Sequence, residues 1–97
     1  MELNYKLLEQ IINIDSPTGY CNKVINYVAE IVKDLGYSYY KNQKGNLIVE
    51  VKGKSNYTKG LSSHVDTLGL MVRSINADGT LKFATLGGPL LNTYNAE

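Results

Sequence analysis

The chain has one cysteine, one histidine and one arginine, and no long apolar run. With Cys21 alone, no intramolecular disulfide can form. With His64 alone, these residues offer a single imidazole, and one histidine beside one carboxylate is not a catalytic metal site by itself. Arg73 is the only arginine, and ten basic residues are mixed with nine acidic ones for a net charge of +1. No basic stripe exists to hold phosphates, so nucleic-acid binding has no electrostatic support. The eight tyrosines are scattered, which argues against a base-stacking platform. No stretch approaches the ~18 apolar residues of a membrane span. Met1 to Lys6 lack the basic start and apolar core of a signal peptide, so a reducing cytoplasm is the expected setting. No Gly-rich stretch meets Lys-Ser or Lys-Thr, and no Gly-x-Ser-x-Gly elbow surrounds Ser62 or Ser63. Phosphate-loop and serine-hydrolase chemistry are therefore unsupported.

What remains is ordinary globular composition, with 43% apolar and 20% charged residues, which excludes disorder. Ninety-seven residues allow one domain, with roughly 65% of the unfolded surface available for burial. Leu3, Leu7, Leu8, Ile11, Ile12 and Ile14 predict an amphipathic helix over 3–14. Asp15-Ser16-Pro17-Thr18-Gly19 ends it and reads as a connection that caps the next helix. Val24, Ile25, Val28, Ile31, Val32 and Leu35 predict a core-facing helix over 20–35, closed by Gly36.

The pattern then turns to β. Strands are expected over 37–41, 46–51, 58–63, 70–75 and 81–85. Asn42 to Gly45 and Asn76-Ala77-Asp78-Gly79 are the turn signals, the second because Asp-Gly suits positive φ angles. Two helices followed by strands predict an α/β chain, or α+β taken as a segment. Leu90, Leu91 and Tyr94 have no following partner, which suggests a chain continuing beyond Glu97.

The chemistry concentrates in Leu61-Ser62-Ser63-His64-Val65-Asp66-Thr67-Leu68-Gly69. On extended backbone, residues two apart point the same way, so Asp66 can lie beside the His64 ring. A carboxylate that accepts the far N–H fixes the tautomer and makes the imidazole a better metal donor. Alternatively, Asp66 orients a water or a general base. A hydrogen-bonded structural histidine is the plain reading of the same residues. Cys21, at a helix start without a paired base, reads as structural. A glycosidase pair of carboxylates cannot be read from the nine acids.

The order of motifs says more than any one of them. Ser16-Pro17-Thr18-Gly19-Tyr20, Lys44-Gly45-Asn46-Leu47-Ile48, His64-Val65-Asp66-Thr67-Leu68-Gly69-Leu70-Met71-Val72, Asp78-Gly79 and Leu86-Gly87-Gly88 follow one another. This succession resembles the N-terminal part of the glutamyl and deblocking aminopeptidase family. Those are tetrahedral, dodecameric di-metal enzymes, some labelled endoglucanases.

The resemblance implies a fold in which 1–69 is the first piece of a metallopeptidase domain. Residues 70–97 would open an inserted β-rich dimerisation domain. It implies that His64 is a metal ligand and that Asp66 supports the site as a catalytic residue. Thr67 stands where many members carry Glu. It implies two divalent ions, zinc or cobalt, a peptide substrate, and homo-oligomers. It also implies that the remaining ligands and the general base lie downstream, leaving this stretch inactive alone. The alternatives are a non-catalytic self-associating module and a carbohydrate hydrolase.

Overall fold

A computed structural model describes residues 4–88. The expectations for Leu3, Pro89, Leu90, Leu91 and Tyr94 lie outside them. Helix α1 spans Tyr5–Ile12 and α2 spans Asn22–Asp34. Strands follow at Ser38–Lys41 (β1), Leu47–Glu50 (β2), Gly69–Ile75 (β3) and Leu81–Leu86 (β4). β1 pairs with β2 and β3 with β4, both antiparallel, as two separate two-stranded sheets. The expected α/β order of two helices followed by strands is observed. No described helix is long and apolar enough to cross a membrane.

Local chemistry explains the helix ends. The Asn4 side chain accepts from Leu7 N at 3.0 Å, satisfying one orphan donor of α1. Helix α2 starts at Cys21 with no side-chain cap, so the Asp15–Gly19 connection does not cap it as expected. Gly36, at φ 85°, closes the other end of α2, where its amide donates to Lys33 O at 2.9 Å. The α2 stripe buries Val24 fully and half-buries Ile25, Val28, Ile31 and Val32, with Ala29 also inside. Leu35 departs from it: as the C-cap residue, beyond the last turn, it is exposed. Tyr27 OH donates to Gln10 Oε1 at 2.8 Å, tying α2 to α1.

Both hairpins use the same turn. Asn42 N donates to Asn46 O and Gly45 N to Asn42 O, at 3.1 and 3.0 Å. In the second, Asn76 N donates to Thr80 O and Gly79 N to Asn76 O, at 2.8 and 3.0 Å. Each is a three-residue loop ending in a glycine of positive φ. The Asp-Gly turn therefore needs one positive φ, at Gly79, and Asp78 stays on the ordinary side.

Asp78 Oδ1 accepts from the Thr80 hydroxyl at 2.7 Å and from Thr80 N at 3.0 Å. The Thr80 hydroxyl, then its amide, hold this carboxyl below its ordinary value of 3.8. A lowered folded value means the contribution is present above 3.8 and is lost as pH falls through the lower, folded value. A carboxyl-carbon titration should therefore place the Asp78 midpoint below 3.8, and Thr80→Val should move it back up. An unmoved midpoint in that variant would show that the Thr80 hydroxyl is not the main cause.

The strand expected over 58–63 does not form. Among the described residues no strand pairs with it, and an unpaired strand has no ladder to hold it. Leu61 is consequently fully exposed. The described core is small, with Val24 and Ala29 the buried apolar residues. The Cα radius of gyration is 18.0 Å, against about 13 Å for a compact domain of this length. Packing of this kind holds local elements but encloses little.

Candidate functional site

His64 and Asp66 sit on irregular backbone just before β3, not at the end of a regular strand. The segment is held by the α1–α2 connection instead. Thr67 N donates to Ser16 O at 2.8 Å and Thr18 N donates to Thr67 O at 3.2 Å. These two bonds make a parallel bridge between Pro17 and Thr67. Pro17 suits the position because the bridge uses the amides on either side of it and not its own nitrogen. Ser16 adds a third tie. Its hydroxyl donates to Val65 O at 2.8 Å, and its side chain is the buried polar one among the described residues, at 2% exposure.

Within this frame the two predicted site residues meet. His64 Nδ1 lies 2.9 Å from Asp66 Oδ1 and 3.2 Å from Asp66 O. The other carboxylate oxygen, Oδ2, accepts from the Thr18 hydroxyl at 3.0 Å. That hydroxyl, and then the His64 ring, hold the Asp66 carboxyl below its ordinary range, so it is ionised at neutral pH. An ionised Asp66 favours the tautomer with the proton on Nδ1. Nε2 then carries the lone pair. Among the described residues the His64 side chain is 84% exposed.

The donor set, a neutral imidazole oriented by a carboxylate, is one that several divalent ions accept. It supplies one such ligand. Among the described residues no three His, Cys, Asp or Glu side chains converge, whereas a zinc site takes three or four protein ligands.

Two residues of this region escaped sequence reasoning in their site role. Ser16 and Thr18 read as parts of a turn. No periodicity or local spacing signals a contact across some fifty positions, and these are such contacts. Cys21 behaves as expected for a structural thiol, with Sγ 3.6 Å from the carbonyl oxygens of Ser16 and Pro17.

The arrangement is that of a histidine whose ring is oriented by a carboxylate, presented ahead of a β-hairpin. The sequence profile of the M42 glutamyl aminopeptidase family matches residues 45–97, and the chain belongs to that family. The Bacillus subtilis (strain 168) protein YhfE, which carries an aminopeptidase name, is 39% identical over 95% of this chain and 27% of its own length. The lysyl aminopeptidase of Pyrococcus furiosus is 31% identical over 98% of this chain and 28% of its own. The glutamyl aminopeptidase of Lactococcus lactis subsp. cremoris is 30% identical over 91% and 25%. The chain thus spans about a quarter of the length of the curated relatives it matches.

Proposed function

We propose that these residues are the N-terminal part of a longer metal-dependent aminopeptidase that removes N-terminal residues from peptides. One observation carries the reading: in a chain of this family, the single histidine meets a carboxylate through Nδ1, which would leave Nε2 for a ligand. Residues 1–69 would belong to the catalytic domain and 70–97 would open the inserted β-rich domain. His64 would hold one of two divalent ions, zinc or cobalt. Asp66 would fix the ring and its tautomer. When bound, the metal pair supplies Lewis-acid polarisation of the scissile carbonyl and acidifies a water.

The other ligands and the general base would come from outside residues 4–88, so the present stretch would be silent on its own. The setting would be cytoplasmic and the intact enzyme a homo-oligomer, the dodecamer of the resemblance. The relatives' names are those of aminopeptidases, and nothing comparable favours a carbohydrate hydrolase or a non-catalytic module.

The test is an assay of the longer protein on aminoacyl-p-nitroanilides and on a cellulosic substrate side by side. Hydrolysis of the former only is expected. Dialysis against a chelator should abolish it, and zinc or cobalt should restore it. Undiminished activity after the metal has been stripped and shown absent would overturn the reading.

A further inference from the structure

We propose that Thr18 is a positioning residue for the candidate ligand His64, acting through the Asp66 carboxylate. The inference rests on the metal-ligand reading of His64. Asp66 has two oxygens with two separate partners. Oδ1 faces His64 Nδ1 at 2.9 Å, and Oδ2 takes the Thr18 hydroxyl at 3.0 Å. An exposed carboxylate with one partner can rotate about its last bond and trade oxygens. Two partners, one on each oxygen, fix the plane of the carboxylate, and the imidazole follows it.

The Thr18 backbone is itself fixed. Its amide donates to Thr67 O, directly after Asp66, so the hydroxyl and the carboxylate start from neighbouring rungs of one bridge. Gly87, just past β4, stands beside this hydroxyl: a Cβ there would meet it at an ordinary contact distance of 3.4 Å and would crowd Leu68 Cδ2 at 3.0 Å. The α1–α2 connection therefore does more than join two helices. It carries the hydroxyl that orients the site across 48 positions of sequence.

Thr18→Val keeps the shape and removes the hydroxyl, and Thr18→Ser keeps the hydroxyl. In the longer protein, zinc affinity is measured by competition with a chromogenic chelator, with His64→Ala alongside. Thr18→Val should bind zinc about 5-fold more weakly, short of the about 10–100-fold typical of losing a ligand's outer partner outright, because Asp66 itself remains. Thr18→Ser should stay within about 2-fold of the parent, as rescue by a retained hydroxyl requires. Thr18→Ala removes the hydroxyl without bulk and serves if Val is not tolerated. A crystal structure of the metal-free Val or Ala variant should show the Asp66 carboxylate turned from the His64 ring.

Parent-like zinc affinity in Thr18→Val, while His64→Ala loses zinc, would overturn the positioning role and leave the ligand assignment standing. So would a serine variant no better than valine, or an unmoved Asp66 in the metal-free structure. Zinc affinity unchanged in His64→Ala would remove the ligand assignment, and the role of Thr18 with it.

Discussion

Replacing His64 by alanine in the longer peptidase should cost it a metal ion and nearly all its activity while leaving the fold intact. Losing an outer partner of a ligand typically weakens metal binding by about 10–100-fold, and removing the ligand itself should exceed that. Peptide hydrolysis should fall by more than about 100-fold, because in the proposed enzyme a metal pair would supply both the polarised carbonyl and the acidified water. The fold should not notice. The His64 side chain is 84% exposed, and its polar contacts are to Asp66 on the same short segment. Among the described residues this is a surface change, of the kind that moves a melting temperature by no more than about 2 °C. Metal analysis, a peptidase assay and a thermal melt of the stripped protein check the three parts together. Full metal content with full activity would show that His64 is an ordinary surface histidine. A large drop in the metal-free melting temperature would show that it holds the loop rather than the ion.

Asp66 and His64 were legible because they are two positions apart, so almost any extended backbone brings them together. The helices were legible for the same local reason: an apolar stripe at helical spacing, ended by Gly36 or by the Pro17 turn. Both hairpins were announced by Asn and Gly at short range. The failures share the opposite property. A strand over 58–63 depends on a neighbour that no local pattern supplies, and Leu61 stands exposed without one. Leu35 carries the right residue type one step past the helix that would have turned it inward. Ser16 and Thr18 reach Val65 and Asp66 across 49 and 48 positions, and a serine in a turn looks the same whether or not it does so.

These long-range ties order the segment that carries His64. The His64 segment is placed by hydrogen bonds from Ser16, Thr18 and Thr67 rather than by apolar packing around it. Directional bonds fix orientation in a way that burial does not. A site that must aim one ring nitrogen gains more from four such bonds than from a larger apolar contact.

Gly69→Ala should break that arrangement from the other side. The glycine opens β3, two positions after the bridge, and Pro17 lies directly over it. A Cβ there would stand 2.6 Å from Pro17 Cβ, 3.6 Å from Pro17 Cγ and 3.7 Å from Leu86 Cδ1. The first distance is impossible for two carbons. The Pro17 Cβ belongs to a ring fused to the backbone, so it cannot swing aside as the tip of a long side chain would. Either β3 or the Ser16–Thr18 segment must move, and the Pro17–Thr67 bridge joins the two. Overpacking of this kind typically costs about 1–3 kcal/mol. Opening the bridge would also separate Thr18 from Asp66, so zinc affinity should fall alongside stability, by about 5-fold. Pro17→Gly removes the opposing carbon. In that background Gly69→Ala should cost markedly less than it does alone, and a double-mutant cycle measures the difference. Equal costs in the two backgrounds would mean that the clash with Pro17 is not what makes glycine necessary at position 69.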